Sequence, residues 1–358
     1  MSTPPSLRLC FVGPMVGRNP GQVTTQGQIL SDLFKGEGYP LISVSDHPNR
    51  YMRLLDIVGT LIRQRNRIDI IVLDVYGGRS FVVEDIASRL GRLFGHKIIM
   101  VLRGGAMPDF MARFPGWTTS VLSRADRLLA PSDYLARAVV PYGFQAQVIP
   151  NVIDLANYPY RHRTQLQPRM LWMRTFHPFW NPEMAVRVLA RLREVRPETS
   201  LVMAGQDKGL RSDVQQLAQE LGVADAVRFP GFLDMEDKAR EGDAADIFIN
   251  TNHVDNMPVA VVEACAMGLP VVATEVGGIP DLLTNEENAL LVPDSDEEAM
   301  AQAILRLLND PDLAGRLSTN GRKLAERSSW EQVRQQWDQL FDEVISYQLS
   351  AVSSKLSF

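Results

Sequence analysis

Cysteine is nearly absent: the 358 residues hold two, Cys10 and Cys265. Each lies in an apolar stretch and reads as a buried free thiol in a reducing compartment. Their spacing excludes a zinc or redox motif. Long apolar runs are lacking too, and none approaches the roughly 20 residues that a membrane span needs. The first residues carry Pro4 and Pro5 and no apolar core, so no signal peptide is expected there. A soluble or peripheral protein follows, expected in the cytoplasm or at the inner face of a membrane. The five histidines (His47, His96, His162, His177 and His253) have no ligand spacing, so no metal is expected. Neither a Gly-x-Ser-x-Gly elbow nor a Walker loop occurs.

What is present is ordinary for a globular chain: 45% hydrophobic, 22% charged and 8% aromatic residues. That composition excludes a disordered chain, collagen and a membrane bundle. At about 150 residues per domain, the length suggests two domains. The net charge of −5 conceals a split. Residues 1–165 hold 19 basic and 12 acidic side chains, a net of +7, and residues 166–358 hold 18 and 30, a net of −12. The halves are expected to meet different partners.

Short apolar runs alternate with amphipathic stretches. In the first half the runs at 7–13, 68–75, 97–102, 127–130 and 147–149 read as strands, and 22–35 as a helix. The second half repeats the rhythm with runs near 170–173, 200–204, 226–229, 247–250, 270–274 and 289–292. Continuous apolar strands alternating with helices mean parallel sheets covered on both faces, an α/β class. Two such series, separated by a linker-like stretch around Tyr158–Arg163, predict two Rossmann-like domains. The natural ligand site is a cleft at the carboxyl ends of their strands. The tail residues Trp330, Val333, Trp337 and Phe341 fall at helical spacing and read as a core-facing stripe.

The segment 250–278, Asn-Thr-Asn-His-Val-Asp-Asn-Met-Pro-Val-Ala-Val-Val-Glu-Ala-Cys-Ala-Met-Gly-Leu-Pro-Val-Val-Ala-Thr-Glu-Val-Gly-Gly, is the most informative. A strand ends at Asn250, a polar loop follows, and a helix is expected from Pro258 to about Met267. That helix is apolar on every side, hence buried, and Glu263 is its only charge. A buried carboxylate costs several kcal/mol unless it is paired or hydrogen-bonded. Two sugar hydroxyls would serve as donors; a structural bond to a neighbouring loop is the other reading. Asp255, in the preceding loop, could accept from another hydroxyl or cap the helix.

Asp255, seven residues, then Glu263-Ala264-Cys265-Ala266-Met267-Gly268-Leu269-Pro270-Val271-Val272-Ala273 resembles the signature of the retaining glycosyltransferases of family four. Three further motifs resemble that family in order: Ile149-Pro150-Asn151-Val152-Ile153-Asp154, Phe229-Pro230-Gly231-Phe232 and Gly277-Gly278-Ile279-Pro280. The resemblance implies the GT-B fold: two Rossmann-like domains facing a cleft, here 1–165 for the acceptor and 166–335 for the donor, with a C-terminal helix, 336–358, crossing back to complete the first. It implies transfer of a sugar from a UDP- or GDP-sugar to an acceptor hydroxyl with retention, without a metal or other cofactor, as in cell-envelope polysaccharide or glycolipid assembly.

Position by position, the resemblance implies that Glu263 binds the ribose hydroxyls and Asp255, where Glu is usual, the donor sugar. The backbone of Asn256, Met257 and Val259 lies at the helix N-terminus, which favours anionic oxygens. Gly231 and Phe232 lie beside the nucleotide base. The family's pyrophosphate clamp is an Arg and a Lys. Arg174 matches the first, and Trp180 stands at the position of the second. Arg174, the amides near Pro182 and Arg103 or His177 are candidates to compensate. Gly17, Gly21 and Gln22 form the loop in which the family has a glycine pair. Arg103 stands where many relatives carry a His near the reacting sugar. It cannot act as a base but can hold an anion bidentately. Asp74 reads either as acceptor contact or as a strand-terminal cap.

Asp294-Ser295-Asp296 looks like a metal-binding Asp-x-Asp, but it opens a helix and reads as a cap. Two other functions compete with sugar transfer: a weakened nucleotide-sugar-binding subunit of a larger complex, motivated by the missing Lys and His, and a sugar-nucleotide epimerase, for which no convincing acid–base pair occurs. The acceptor is expected to be a glycan, a lipid-linked molecule or a small molecule, anionic given the basic first half; nucleic acid is not expected. Arg50, Arg53, Arg63, Arg65 and Arg67 flank an apolar series from Leu54 to Ile62, readable as a helix on anionic lipid or as a surface helix with a core face.

Overall fold

A computed structural model of the chain describes residues 7–19 and 21–355, with side chains described to Ile345 and Ser346. The opening stretch with Pro4 and Pro5, and the end of the predicted 336–358 helix, lie outside those residues. The chain divides into two compact units, 1–152 with 330–358 and 153–329.

The first unit is built on six parallel strands: β1 (Leu9–Val12), β2 (Leu41–Val44), β3 (Ile70–Val75), β4 (Lys97–Leu102), β5 (Arg127–Ala130) and β6 (Gln147–Val148). Their spatial order is β2-β1-β3-β4-β5-β6. Apart from Asp74 and Lys97, β3 and β4 are runs of Ile, Val, Leu and Met buried on both faces, as a parallel sheet requires. The C-terminal helix, Trp330–Lys355, belongs to this unit. Its expected stripe does pack: Trp337 meets Phe11 and Phe34, Phe341 meets Phe34, and Trp330 meets Phe34 edge-on at 4.9 Å. Tyr39 donates to Asp338 and Trp330 to Glu37 at its polar margins.

The second unit repeats the plan with β7 (Arg169–Met173), β8 (Ser200–Ala204), β9 (Val227–Gly231), β10 (Ile247–Asn250), β11 (Val271–Thr274) and β12 (Leu290–Val292). Their order is β12-β11-β10-β7-β8-β9, all parallel. The sheet grows first to one side of β7 and then to the other, so the topological switch point falls between β7 and β10. Ligands bind at the carboxyl ends of the strands at such a point. In the first sheet the corresponding point lies between β1 and β3.

Three expectations need correction. β2 was not foreseen: Leu-Ile-Ser-Val is short and half-buried at the sheet edge, so it lacks the continuous apolar run of the inner strands. The first helix spans Gln26–Gly36 instead of 22–35, because Thr25 accepts from the amide of Gln28 and caps it there. The stretch Tyr158–Arg163 is not a solvated linker, so the second unit starts at 153 instead of 166. Ile153 donates to the Ser328 carbonyl. The Arg163 guanidinium, 2% exposed, donates to the carbonyls of Arg161, Gly242 and Ala245. Gly242 and Ala245 close the Met235–Ala244 helix, whose terminal carbonyls need donors.

Candidate functional site

The switch point of the second sheet is flanked by two segments. Arg174 directly follows β7, and residues 251–258 follow β10 and lead into the Val259–Ala266 helix. Pro258 is the N-cap of that helix instead of its first residue. Every residue from Ala260 to Ala266 is buried, as the all-apolar pattern requires.

Arg174 and Asp255 form an ion pair across this point. The Arg174 guanidinium lies 4.4 Å from the centre of the Trp180 ring, a cation–π contact. The residue in the expected lysine position is therefore the platform on which the arginine rests. Burial pulls the Arg174 pKa down to about 10, against the opposing pull of nearby Glu263. Close approach is made possible by Gly205, at φ +149°, where a Cβ would overlap the Arg174 carbonyl. Gly205 donates to Gly231, which ends β9 at φ +90° beside the half-exposed Phe232.

Glu263 is 5% exposed and accepts from the Tyr158 hydroxyl and the Lys238 ammonium, each at 2.8 Å and both on Oε1. Among the described residues no donor meets its Oε2. Burial and the Glu263 charge push the Tyr158 pKa up, so its hydroxyl stays a donor. Lys238 places a cation in the site from the Met235–Ala244 helix. Sequence reasoning missed it because it searched for a lysine beside Arg174. The scarcity of lysine, six against 31 arginines, is the signal that was available.

Asp255 is more committed than expected. Its Oδ1 accepts from the Asn256 amide and its Oδ2 from the Asn252 side chain at 2.7 Å. It does not cap the helix. The Met257 amide donates to the Asn256 side chain. The loop thus uses two amides that sequence reasoning pointed at a ligand; Val259 stands half-buried in the first helical turn. Asn250 Nδ2, Asn252 Oδ1 and Arg174 Nε are buried without a hydrogen-bond partner among the described residues. Such orphaned polar atoms are rare in folded proteins, and here three sit beside one another in the topology, at the ends of β7 and β10. His177 Nδ1 accepts from the Phe179 amide. His253 pairs with Asp294 at 2.8 Å, and Asp296 caps the Glu297–Asn309 helix through the Ala299 amide, as the capping reading of the Asp-x-Asp expects.

In the first unit, Asp74 and Arg103 hold each other. Arg103 donates to Asp74 at 2.7 Å and to Asn151 at 3.0 Å. Asp74 is further enclosed by Gly13 and Gly27, where a Cβ would press on its carboxylate. Both predicted ligand contacts are thereby engaged inside the unit, because a buried charge needs its partner. Gly27, which sequence reasoning passed over, is what lets the first turn of the Gln26–Gly36 helix approach Asp74. Gly17 donates to the Gln28 side chain and packs on Thr24. Gly21 takes a turn conformation at φ +70°, with the Gln22 amide bonded to Asn19, so this pair precedes the helix instead of opening it. Asp46, His47 and Asp56 come within 4.8 Å of one another at the surface, the one group among the described residues with metal-ligand proximity.

Residues 165–324 match the family described as Glycosyl transferases group 1. The D-inositol 3-phosphate glycosyltransferase of Streptomyces avermitilis is 27% identical over 252 residues, which is 64% of this chain and 54% of that protein. Its namesake from Geodermatophilus obscurus is 30% identical over 248 residues, 63% of this chain and 54% of that protein. The chain thus spans about half the length of these relatives. Among solved structures, sucrose-phosphate synthase from Thermosynechococcus elongatus is similar with a TM-score of 0.81 at 19% identity, over 95% of this chain and 100% of that one. Anabaena HepE in complex with UDP-glucose gives 0.73 at 17% identity, over 94% and 100%. These likenesses are of fold, and the fold is GT-B.

Proposed function

Because residues 165–324 match the family described as Glycosyl transferases group 1, we propose that this chain is a glycosyltransferase that moves a hexosyl group from a nucleotide-sugar donor to an acceptor hydroxyl, with retention at the anomeric carbon. The observation that carries the proposal is the gathering of Arg174, Trp180, Lys238, Asp255 and Glu263 around one topological switch point.

The donor lies on the second unit. Glu263 Oε2 accepts from the ribose hydroxyls, while Tyr158 and Lys238 hold the other oxygen and fix the carboxylate. Arg174, steadied by Trp180, faces the diphosphate. Lys238 adds the second cation that the Trp180 position lacks. Charge on the departing nucleotide diphosphate is balanced by these side chains, without a metal ion. Asp255, held by Asn252 and Asn256, accepts from a hydroxyl of the donor sugar with its remaining lone pairs. Gly231 and Phe232 border the base. Attack by the acceptor hydroxyl comes from the face that the diphosphate leaves, and with no dedicated protein base its proton passes to the departing diphosphate oxygen as the bond from the anomeric carbon to that oxygen breaks. The UDP-glucose complex of Anabaena HepE supports a UDP-sugar as donor. The D-inositol 3-phosphate glycosyltransferases among its relatives support a phosphorylated, anionic acceptor.

A binding subunit without chemistry is the second reading. It rests on the missing lysine, and Lys238 weakens it. Incubation of the protein with UDP-glucose and inositol phosphate, followed by NMR of the product, tests the proposal. An α-linked product that forms equally in EDTA is expected. A β-linked product overturns retention, and a protein that binds donor yet neither transfers nor slowly hydrolyses it is the binding subunit.

A further inference from the structure

The Arg50–Arg63 helix has two apolar faces, and only one is used by the core. Ile57 and Leu61 are fully buried. Tyr51, Met52, Leu55 and Ile62 point the other way, exposed by 66%, 51%, 66% and 41%. Tyr51, Leu55 and Ile62 recur at helical spacing, so they form one stripe along the outer side. A surface helix with a single core face does not do this.

The charges around the stripe are mostly basic. Arg50, Arg63, Arg65 and Arg67 are exposed, and Asp56 is the only acid from Arg50 to Arg67. None of these four arginines is paired with a carboxylate among the described residues. Arg50 meets the Tyr51 hydroxyl, and Arg63 and Arg65 bond backbone carbonyls of their own helix. Arg63 and Arg67 also line a cavity of about 560 Å³ with Arg8, Thr60, Gln64 and the start of β2. Arg8 is tied to Asp69, which leaves Arg63 and Arg67 as the cations facing that space.

We propose that this helix and the arginine-lined cavity beside it form a docking surface for a bilayer of anionic phospholipid. The apolar stripe enters the acyl boundary, the arginines lie at the level of the head groups, and the cavity takes a lipid phosphate. The inference does not depend on the sugar-transfer reading.

Co-sedimentation of the full chain with vesicles tests it. Binding is expected to phosphatidylcholine mixed with phosphatidylglycerol, to weaken as salt is raised, and to be absent on phosphatidylcholine alone. Leu55→Glu with Ile62→Glu should abolish binding. Arg63→Gln with Arg67→Gln should weaken it by about thirtyfold. All four sites are exposed, and unchanged thermal unfolding would show that the variants fold; the salt titration of the unaltered protein needs no variant. Equal binding to neutral vesicles, or none to anionic ones, overturns the proposal. So does stabilisation by inorganic phosphate without vesicle binding, or a dimer that Leu55→Glu dissolves while vesicles are ignored.

Discussion

Glu263 shows how a single side chain acquires a direction. Two donors converge on Oε1, so the carboxylate is fixed while Oε2 keeps its capacity to accept. Glu263→Gln should therefore weaken nucleotide-sugar binding roughly ten- to hundredfold, the worth of hydrogen bonds to a charged acceptor. Lys238→Met should lower turnover more than donor affinity, because its charge matters most as the diphosphate departs. Titration calorimetry beside steady-state kinetics separates the two. Glu84 in the first unit offers a pH test. Burial pushes its carboxyl up from 4.5 to about 8, against bonds from the Tyr76 amide and its own amide. The folded protein then holds a proton that the unfolded chain has lost between those values. This contribution to stability is whole below 4.5, falls as pH rises, and levels off above about 8. Glu84→Gln should flatten that slope in thermal unfolding measured across the window.

At the scale of elements, legibility followed burial. The inner strands and the Val259–Ala266 helix announce themselves because burial on all sides demands unbroken apolar sequence. The carboxylate inside that helix is legible for the same reason. β2 is half-buried at an edge and left no such trace. What escaped were pairings between distant elements. Nothing local to Lys238 points at Glu263, 25 residues on, and nothing local to Trp180 announces a stack under Arg174. The stretch Tyr158–Arg163 misled because its aromatic and basic residues look solvated in sequence, whereas Arg163 is buried against helix-terminal carbonyls. Arg163→Met should leave those carbonyls without donors and cost about 3 kcal/mol. A fall of roughly 6–12 °C in the unfolding midpoint of the second unit would show it. An unchanged midpoint would mean that the stretch is a linker after all.

Across the whole molecule, the charge split changes once the units are known. The first unit holds 19 basic and 15 acidic side chains, a net of +4; the second holds 18 and 27, a net of −9. The contrast is smaller than a cut at 165 suggests, because Arg161 and Arg163 belong to the acidic unit and the C-terminal helix brings acids to the basic one. Under the proposed function, the unit that takes the anionic donor works against its own field, which leaves the binding to its local cations, Arg174 and Lys238. The measurement that tests this most directly is thermal unfolding of the intact chain and of Glu263→Gln across UDP-, GDP- and ADP-sugars. A donor at a hundred times its dissociation constant should stabilise the unaltered protein by about 2.7 kcal/mol. The account predicts that one nucleotide series does so and that Glu263→Gln, equally stable alone, loses most of the shift. Stabilisation by none of them, or a full shift in Glu263→Gln, would contradict it.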